Sequence, residues 1–121
     1  MQFERISHRS KHDIVAMASS SFNDEDVLNA VLSAIYYHDT IFSGDLLLKC
    51  LSSASGLRRL GLMRIIETFM QMHRTAYLAP MFLAEMQKRD DIVSSSRPEV
   101  DEIIQAVREY EVMFKGNTHR I

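Results

Sequence analysis

The chain has 121 residues, 46% of them hydrophobic and 25% charged, with a formal net charge of −2. Four glycines, two prolines and one cysteine exclude collagen-like, disordered and disulfide-rich proteins, and leave one ordinary globular domain over 1–121, with 1–10 and 117–121 expected to fray. No apolar run approaches the ~18 residues of a membrane span, and residues 1–12 lack the apolar core of a secretory signal, so we expect no membrane contact and a cytoplasmic location.

Helical periodicity dominates the sequence, and no stretch alternates as a strand does. We therefore predict an all-α fold, a compact bundle of five or six helices. The helix with the clearest start signal follows Asn23, a residue type common at the N-cap, and should end near His38. Phe22 and Val27 stand at the two positions of a hydrophobic staple at its start.

A central hydrophobic helix is predicted over 57–73, because its apolar residues cover an arc of about 180 degrees. A shorter helix before it should run from Asp45 to Leu51, started by Ser43. Within the central helix, His73 is predicted to be a hydrogen-bonded core histidine. The apolar arc consists of Met63, Ile65, Ile66, Phe69, Met70 and Met72.

The last third of the chain is punctuated by its two prolines. Pro80 either kinks a longer helix or starts a shorter one that ends near Gln87. The last helix should begin near Pro98 and end at Gly116. A narrow apolar stripe along 98–114 suits packing on one helix, either within this fold or across a homodimer.

One group of residues has the types that bind metals. The apolar helix that ends on His38-Asp39 is followed by Ser43-Gly44-Asp45. These residues resemble the centre of HD-superfamily phosphohydrolases, all-helical enzymes in which a divalent metal activates water for attack on phosphorus. The alternative, which we favour, is that His38 and Asp39 only end one helix and open the next turn. The ligands that the resemblance implies are His38, Asp39, His12 or His8, and one of Asp101, Asp90 and Asp91.

A helix-turn-helix DNA-binding unit can be drawn over residues 45–69. Its turn would lie at 53–56, and Arg58 and Arg59 would begin the recognition helix, where side chains reach base edges. The broad apolar arc of that helix and the slightly acidic net charge count against it. We do not expect a nucleic acid partner.

Residue types enriched in protein interfaces cluster in the middle of the chain. Two arginines flank the apolar arc of the central helix, and aromatic and methionine residues surround Pro80. In the absence of a complete catalytic motif, we predict a non-catalytic protein-binding module without a cofactor, either an adaptor or an inhibitor that occludes another protein. The predicted partner-binding residues are Arg58, Arg59, Arg64, Tyr77, Met81 and Phe82.

Overall fold

The structure, a computed structural model, describes residues 6–20, 22–88 and 97–119. These residues form six helices and no strand, which confirms the predicted all-α bundle. The expected fraying of residues 1–5 and 120–121 lies outside the described residues. The helices are α1 (Lys11–Ser20), α2 (Asp24–Tyr37), α3 (Thr40–Ser53), α4 (Gly56–His73), α5 (Ala79–Lys88) and α6 (Arg97–His119).

Helix α4 is the central element, as the breadth of its apolar arc predicts. It packs against α2, α3 and α6, while α2–α3, α3–α5 and α5–α6 are neighbouring pairs around it, and α1 packs on α2. Helices α2 and α6 both contact α4 without packing extensively against each other, so the ring of helices is open on that side. Fully buried side chains at the centre include Leu47, Met63, Ile66, Phe69, Phe82 and Phe114.

The start of α2 matches its predicted cap but not its predicted staple. The side-chain oxygen of Asn23 accepts a hydrogen bond of 2.8 Å from the Glu25 backbone N–H, which satisfies one of the free donors of the first turn. Phe22 is fully exposed and Val27 is buried, so the two do not pack together and the staple prediction is wrong. The Asn23 cap, and not a staple, marks this end of the helix.

The segment before α1 lies along α2. Backbone carbonyls of Ile6, Ser7 and Arg9 accept hydrogen bonds from the side chains of Tyr37, Ser33 and His38, respectively. These three bonds hold residues 6–10 against the second helix before the first one begins.

Helix α3 is longer than predicted at both ends, since it begins at Thr40 and ends at Ser53. Its N-cap is Asp39, whose carboxylate accepts a 2.8 Å hydrogen bond from the Phe42 backbone N–H. Ser43, the predicted start, is buried inside the helix and donates its hydroxyl to the Asp39 carbonyl oxygen at 2.8 Å. Asp39 supplies the capping oxygen one turn earlier, so the helix starts there.

The central helix has the predicted length but a narrower buried face. It ends at His73, after which Arg74 adopts the left-handed conformation with φ of 49°. Met72, counted in the predicted apolar arc, is exposed, because no neighbouring helix covers that side of α4. The other five members of the arc are buried.

The structure decides between the two interpretations of Pro80, confirms the helix start predicted near Pro98 and contradicts the helix end predicted at Gly116. Pro80 lies in the first turn of α5, so it starts a short helix rather than kinking a long one. Helix α6 begins beside Pro98 as predicted but continues past Gly116 to His119. A glycine ends a helix where its backbone turns left-handed, and among the described glycines only Gly56 has a positive φ. No helix in the described ranges is both long enough and apolar enough to cross a membrane.

Candidate protein-binding surfaces

Arg59 lies inside the bundle, with no exposed surface (0%). Its Nη1 lies 3.5 Å from the Met63 sulfur, and its Nη2 donates to the backbone carbonyl oxygen of Glu85. The guanidinium therefore links α4 to α5. The prediction that Arg59 contacts a partner is wrong, because its guanidinium is buried and donates to the backbone of α5.

The two other predicted arginines form ion pairs within the chain. The Nε of Arg58 lies 2.7 Å from a carboxylate oxygen of Asp24, which ties α4 to the start of α2. Arg64 pairs with Glu99 and so ties α4 to the start of α6. Arg64 is exposed and Arg58 is half-buried. The acidic groups that we expected on a partner are thus supplied by the chain itself.

The helix-turn-helix geometry over 45–69 is present only in outline. Helices α3 and α4 are joined by residues 54–55, but α4 is packed against α2, α3 and α6. Arg58 pairs with Asp24, and Arg59 is buried. Neither arginine is free to contact a base edge.

The aromatic and methionine cluster around Pro80 divides into an outer and an inner part. Tyr77 is 52% exposed and Met81 is 53% exposed, as expected for contact residues. Phe82 is fully buried and makes an edge-to-face contact with Phe69, with 5.8 Å between ring centroids. Phe82 is therefore a core residue and not a partner-binding one, because one step along a helix turns the side chain by about 100 degrees.

Met81 lines a groove between α3 and α5, and Tyr77 lies near Asp45, which lines the same groove. We call the two residues, together with Ile41 and this groove, the α3–α5 surface. Ile41 is 68% exposed and lies one turn before Asp45 on α3. Burial and the negative charges of Asp45 and Asp39 raise the pKa of the Tyr77 hydroxyl. The groove has a volume of about 520 Å³ and is lined by Asp45, Leu48, Lys49, Ser52, Met81, Ala84 and Glu85.

A second groove follows the open side of α4, and we call it the α2–α4–α6 groove. It consists of two adjoining depressions of about 540 Å³ and 300 Å³ that share Tyr36 and Thr68. Burial raises the pKa of the Glu67 carboxyl at its edge, and the positive charge of Arg64 opposes that shift. The sequence interpretation missed this groove. Its lining is Leu28, Leu32, Tyr36, Gly61, Arg64, Ile65, Glu67, Thr68, Gln71, Met72 and Tyr110.

The histidine of the His38-Asp39 pair is bound to the N-terminal segment. His38 Nε2 donates to the Arg9 carbonyl oxygen at 2.7 Å, and the ring lies between those of His8 and Phe42, at centroid distances of 5.5 Å and 5.4 Å. Asp39 caps α3. The two residues thus end one helix and start the next in the manner of the alternative that we favoured.

Of the other ligands implied by the phosphohydrolase resemblance, His8 lies beside His38, with 5.5 Å between ring centroids, but a complete ligand set is not gathered there among the described residues. His12 is exposed on α1, and Asp101 is exposed on α6. Across residues 6–20, 22–88 and 97–119, no three His, Cys, Asp or Glu side chains lie together as a metal site requires. Asp90 and Asp91 lie outside the described residues.

Close packing between helices explains why a glycine stands in the Ser43-Gly44-Asp45 segment. A Cβ atom added at Gly44 would lie 2.5 Å from a methyl carbon of Leu78 and 3.0 Å from the ring of Phe69. Gly44 therefore allows α3 to approach α4 and the start of α5 closely.

The apolar stripe of α6 is covered within the chain. Ile103, Val107 and Phe114 are buried, and α6 packs on α4 and α5. The outer face of α6 instead carries exposed Asp101 and Glu109. A homodimer formed through the stripe would have to displace these internal contacts.

Comparison with known proteins gives no match: no protein-family model, no curated protein and no solved structure is similar to this chain. The class that can be stated is a six-helix bundle, counted over the described residues.

Proposed function

We propose that this chain is a non-catalytic helical module that binds a partner protein through the α3–α5 surface. The observation that carries the proposal is an exposed Met81 in a groove, with exposed Tyr77 and Ile41 near Asp45 at the same groove. Aromatic and methionine side chains are typical anchors of protein interfaces, because a rigid ring buries much area at a low cost in conformational entropy and a methionine adapts its shape to the partner. Such residues scattered singly would carry no meaning, but these three lie around one groove.

The charges around these anchors indicate the chemistry of the partner. Asp39 and Asp45 lie close enough to Tyr77 to raise its pKa, and the groove adds Glu85 against a single basic residue, Lys49. A partner segment with apolar side chains flanked by Lys or Arg complements this surface. This replaces the acidic partner that the arginines suggested, since those arginines are paired or buried within the chain.

The mechanism of such a module is steric and needs no cofactor. A bound partner segment would cover the groove, so that the module either joins that partner to another protein or occludes the partner's own site. We include a cytoplasmic location in the same proposal. The one cysteine of the chain, Cys50, is a free thiol, as is usual in a reducing compartment.

The test compares partner retention by matched variants during affinity purification from the protein's own cells. The variants are Tyr77→Ala/Met81→Ala and the control Val112→Ala, which removes an exposed apolar side chain from α6. Loss of two central anchors should reduce retention of a stoichiometric partner by roughly tenfold or more, with no change in Tm. The control should retain the partner like the wild type. A wild-type chain without a partner, or equal retention by the double variant, contradicts the proposal.

A further inference from the structure

The open side of the bundle exposes one face of the central helix. Gly61, Ile65, Thr68 and Met72 follow a four-three-four spacing and so lie on one stripe of α4. They line the α2–α4–α6 groove, with α2 on one side and Tyr110 of α6 on the other. At ~1.5 Å per residue the stripe is roughly 16 Å long, which matches three turns of a helix.

Glu67 places a carboxylate without a contact partner at this groove. It has no hydrogen bond and no ion pair with any described residue, and the nearby cation, Arg64, is paired with Glu99. Burial raises the pKa of this carboxyl, and the positive charge of Arg64 offsets that shift only in part. A Lys or Arg brought by a ligand would supply a contact ion pair.

We infer that the α2–α4–α6 groove binds an amphipathic helix of a partner protein, with its apolar face on Ile65, Thr68 and Met72 and a Lys or Arg against Glu67. Insertion of a helix into a groove between helices is a common mode of peptide recognition. A second copy of this chain is the poorer occupant. The exposed charges described on its longest helix are Asp101, Glu102, Arg108, Glu109 and Lys115, with Lys115 paired to Glu111, and their net charge has the same sign as that of Glu67.

With this groove the chain would have two separate docking surfaces. The α3–α5 surface and this groove lie on different helix pairs and share no lining residue. Two separate docking surfaces are what an adaptor needs, whereas an inhibitor needs one. The inference does not depend on the α3–α5 surface and can be tested separately.

The experiment uses three synthetic helical peptides of about 14 residues, long enough to cover the stripe. They share a leucine face and differ at one flanking position, which is Lys, Gln or Glu. Binding to the full chain is followed by amide chemical shifts in NMR titrations. We expect shifts around Thr68 and Met72, and roughly fivefold tighter binding of the Lys peptide than of the Gln peptide, with the Glu peptide weakest.

Three variants make the test specific. Glu67→Lys should reverse the order of the three peptides, and Thr68→Trp should abolish binding by filling the groove. Glu109→Gln, which removes an exposed acid from the outer face of α6, should leave the order unchanged, as should Tyr77→Ala/Met81→Ala.

Three outcomes would overturn the inference. The first is an absence of shifts around the groove at millimolar peptide, and the second is an order of affinities that Glu67→Lys does not change. The third is a concentration-dependent dimer in analytical ultracentrifugation that Thr68→Trp disrupts, since the occupant would then be a second copy.

Discussion

The Nδ1 atom of His73 lies 2.8 Å from the hydroxyl oxygen of Thr40, and its Nε2 lies 2.9 Å from the carbonyl oxygen of Ile35. Because a carbonyl only accepts, Nε2 donates to Ile35, and the Thr40 hydroxyl donates to Nδ1. The ring also stacks on Phe69 at 5.1 Å. The last residue of α4 thereby fixes the junction of α2 and α3, and His73 is hydrogen-bonded as predicted, although half-buried rather than fully in the core.

Replacement of His73 by Ala should therefore destabilise the bundle. It removes two hydrogen bonds and the stacking contact, and we expect the free energy of unfolding to fall by about 1–3 kcal/mol in urea denaturation. His12→Ala is the matched control, because His12 lies exposed on α1, and it should change the free energy by less than about 0.5 kcal/mol. Equal stability of the two variants would show that His73 does not join these helices.

Arg59 gives the sharpest contrast between a buried and an exposed arginine. Arg59→Ala removes the donor to the Glu85 carbonyl and leaves a cavity between α4 and α5, so we expect a loss of about 3–5 kcal/mol. Arg64→Ala breaks an exposed ion pair with Glu99 and should lose less than about 1 kcal/mol. Arg59→Met, which keeps most of the volume, should be more stable than Arg59→Ala. Thermal unfolding of the three variants measures this order, and a reversed order would contradict the assignment of Arg59 to the core.

Local signals in the sequence are sufficient for most of the fold. The cap at Asn23 is decided within one turn of chain and could be predicted, whereas the sequence left open whether Pro80 kinks a helix or starts one. The assignment of Arg59 and Phe82 to a surface failed because burial depends on where other helices pack. Met81 and Phe82 are adjacent in the sequence, yet Met81 is exposed and Phe82 is buried, because Phe82 is the one that faces Phe69 across the core.

The α2–α4–α6 groove could not be predicted from the sequence for a related reason. The apolar arc of α4 correctly predicted a central helix, but nothing in its periodicity tells which part of the arc has no neighbour. Met72 has the same apolar character as Met70, yet Met70 is buried and Met72 is exposed. A groove is defined by the side that the ring of helices leaves open, and this is a property of the whole assembly.

Gly44 is expected to be sensitive to a single added methyl group. An alanine there would meet Leu78 and Phe69 in the core, and we expect Gly44→Ala to lose about 1–3 kcal/mol of stability in spite of its better helix propensity. Gly61→Ala is the control, since its nearest contact is the flexible end of Leu28 at 2.9 Å and the site lies at the groove. The control should be clearly less destabilised. Urea denaturation measures the stability of both variants. A Gly44→Ala variant as stable as the wild type would contradict the close approach of α3 to Leu78 and Phe69.

Tyr77 should titrate at a higher pH than a free tyrosine, partly because of Asp45 and Asp39. Removal of one negative charge by Asp45→Asn should lower the pKa of the Tyr77 hydroxyl, since the phenolate would then form beside one carboxylate instead of two. Asp101→Asn, on α6, should leave it unchanged. NMR of ¹³C-labelled tyrosine rings resolves Tyr77 from the other three tyrosines through the alkaline range. If Asp45→Asn does not move this titration, Asp45 does not face the α3–α5 surface.

We expect the Glu67 carboxylate to lower the stability of the free protein at neutral pH, although its charge would contribute to ligand binding in the α2–α4–α6 groove. Burial raises the pKa of its carboxyl above the ordinary value of 4.5, so between that value and the raised one the folded chain keeps a proton that the unfolded chain has lost. The stabilising contribution of this proton is present at low pH and is lost as the pH rises through the folded-state pKa. Glu67→Gln should therefore gain stability relative to the wild type on going from pH 4 to pH 7, as measured by urea denaturation at both values. Glu109→Gln, an exposed control, should show no such gain. A Glu67→Gln variant that is less stable than the wild type at pH 7 would mean that the carboxylate has a structural partner. Higher stability together with weaker binding of the Lys peptide would instead mean that the charge of Glu67 contributes to ligand binding and not to folding.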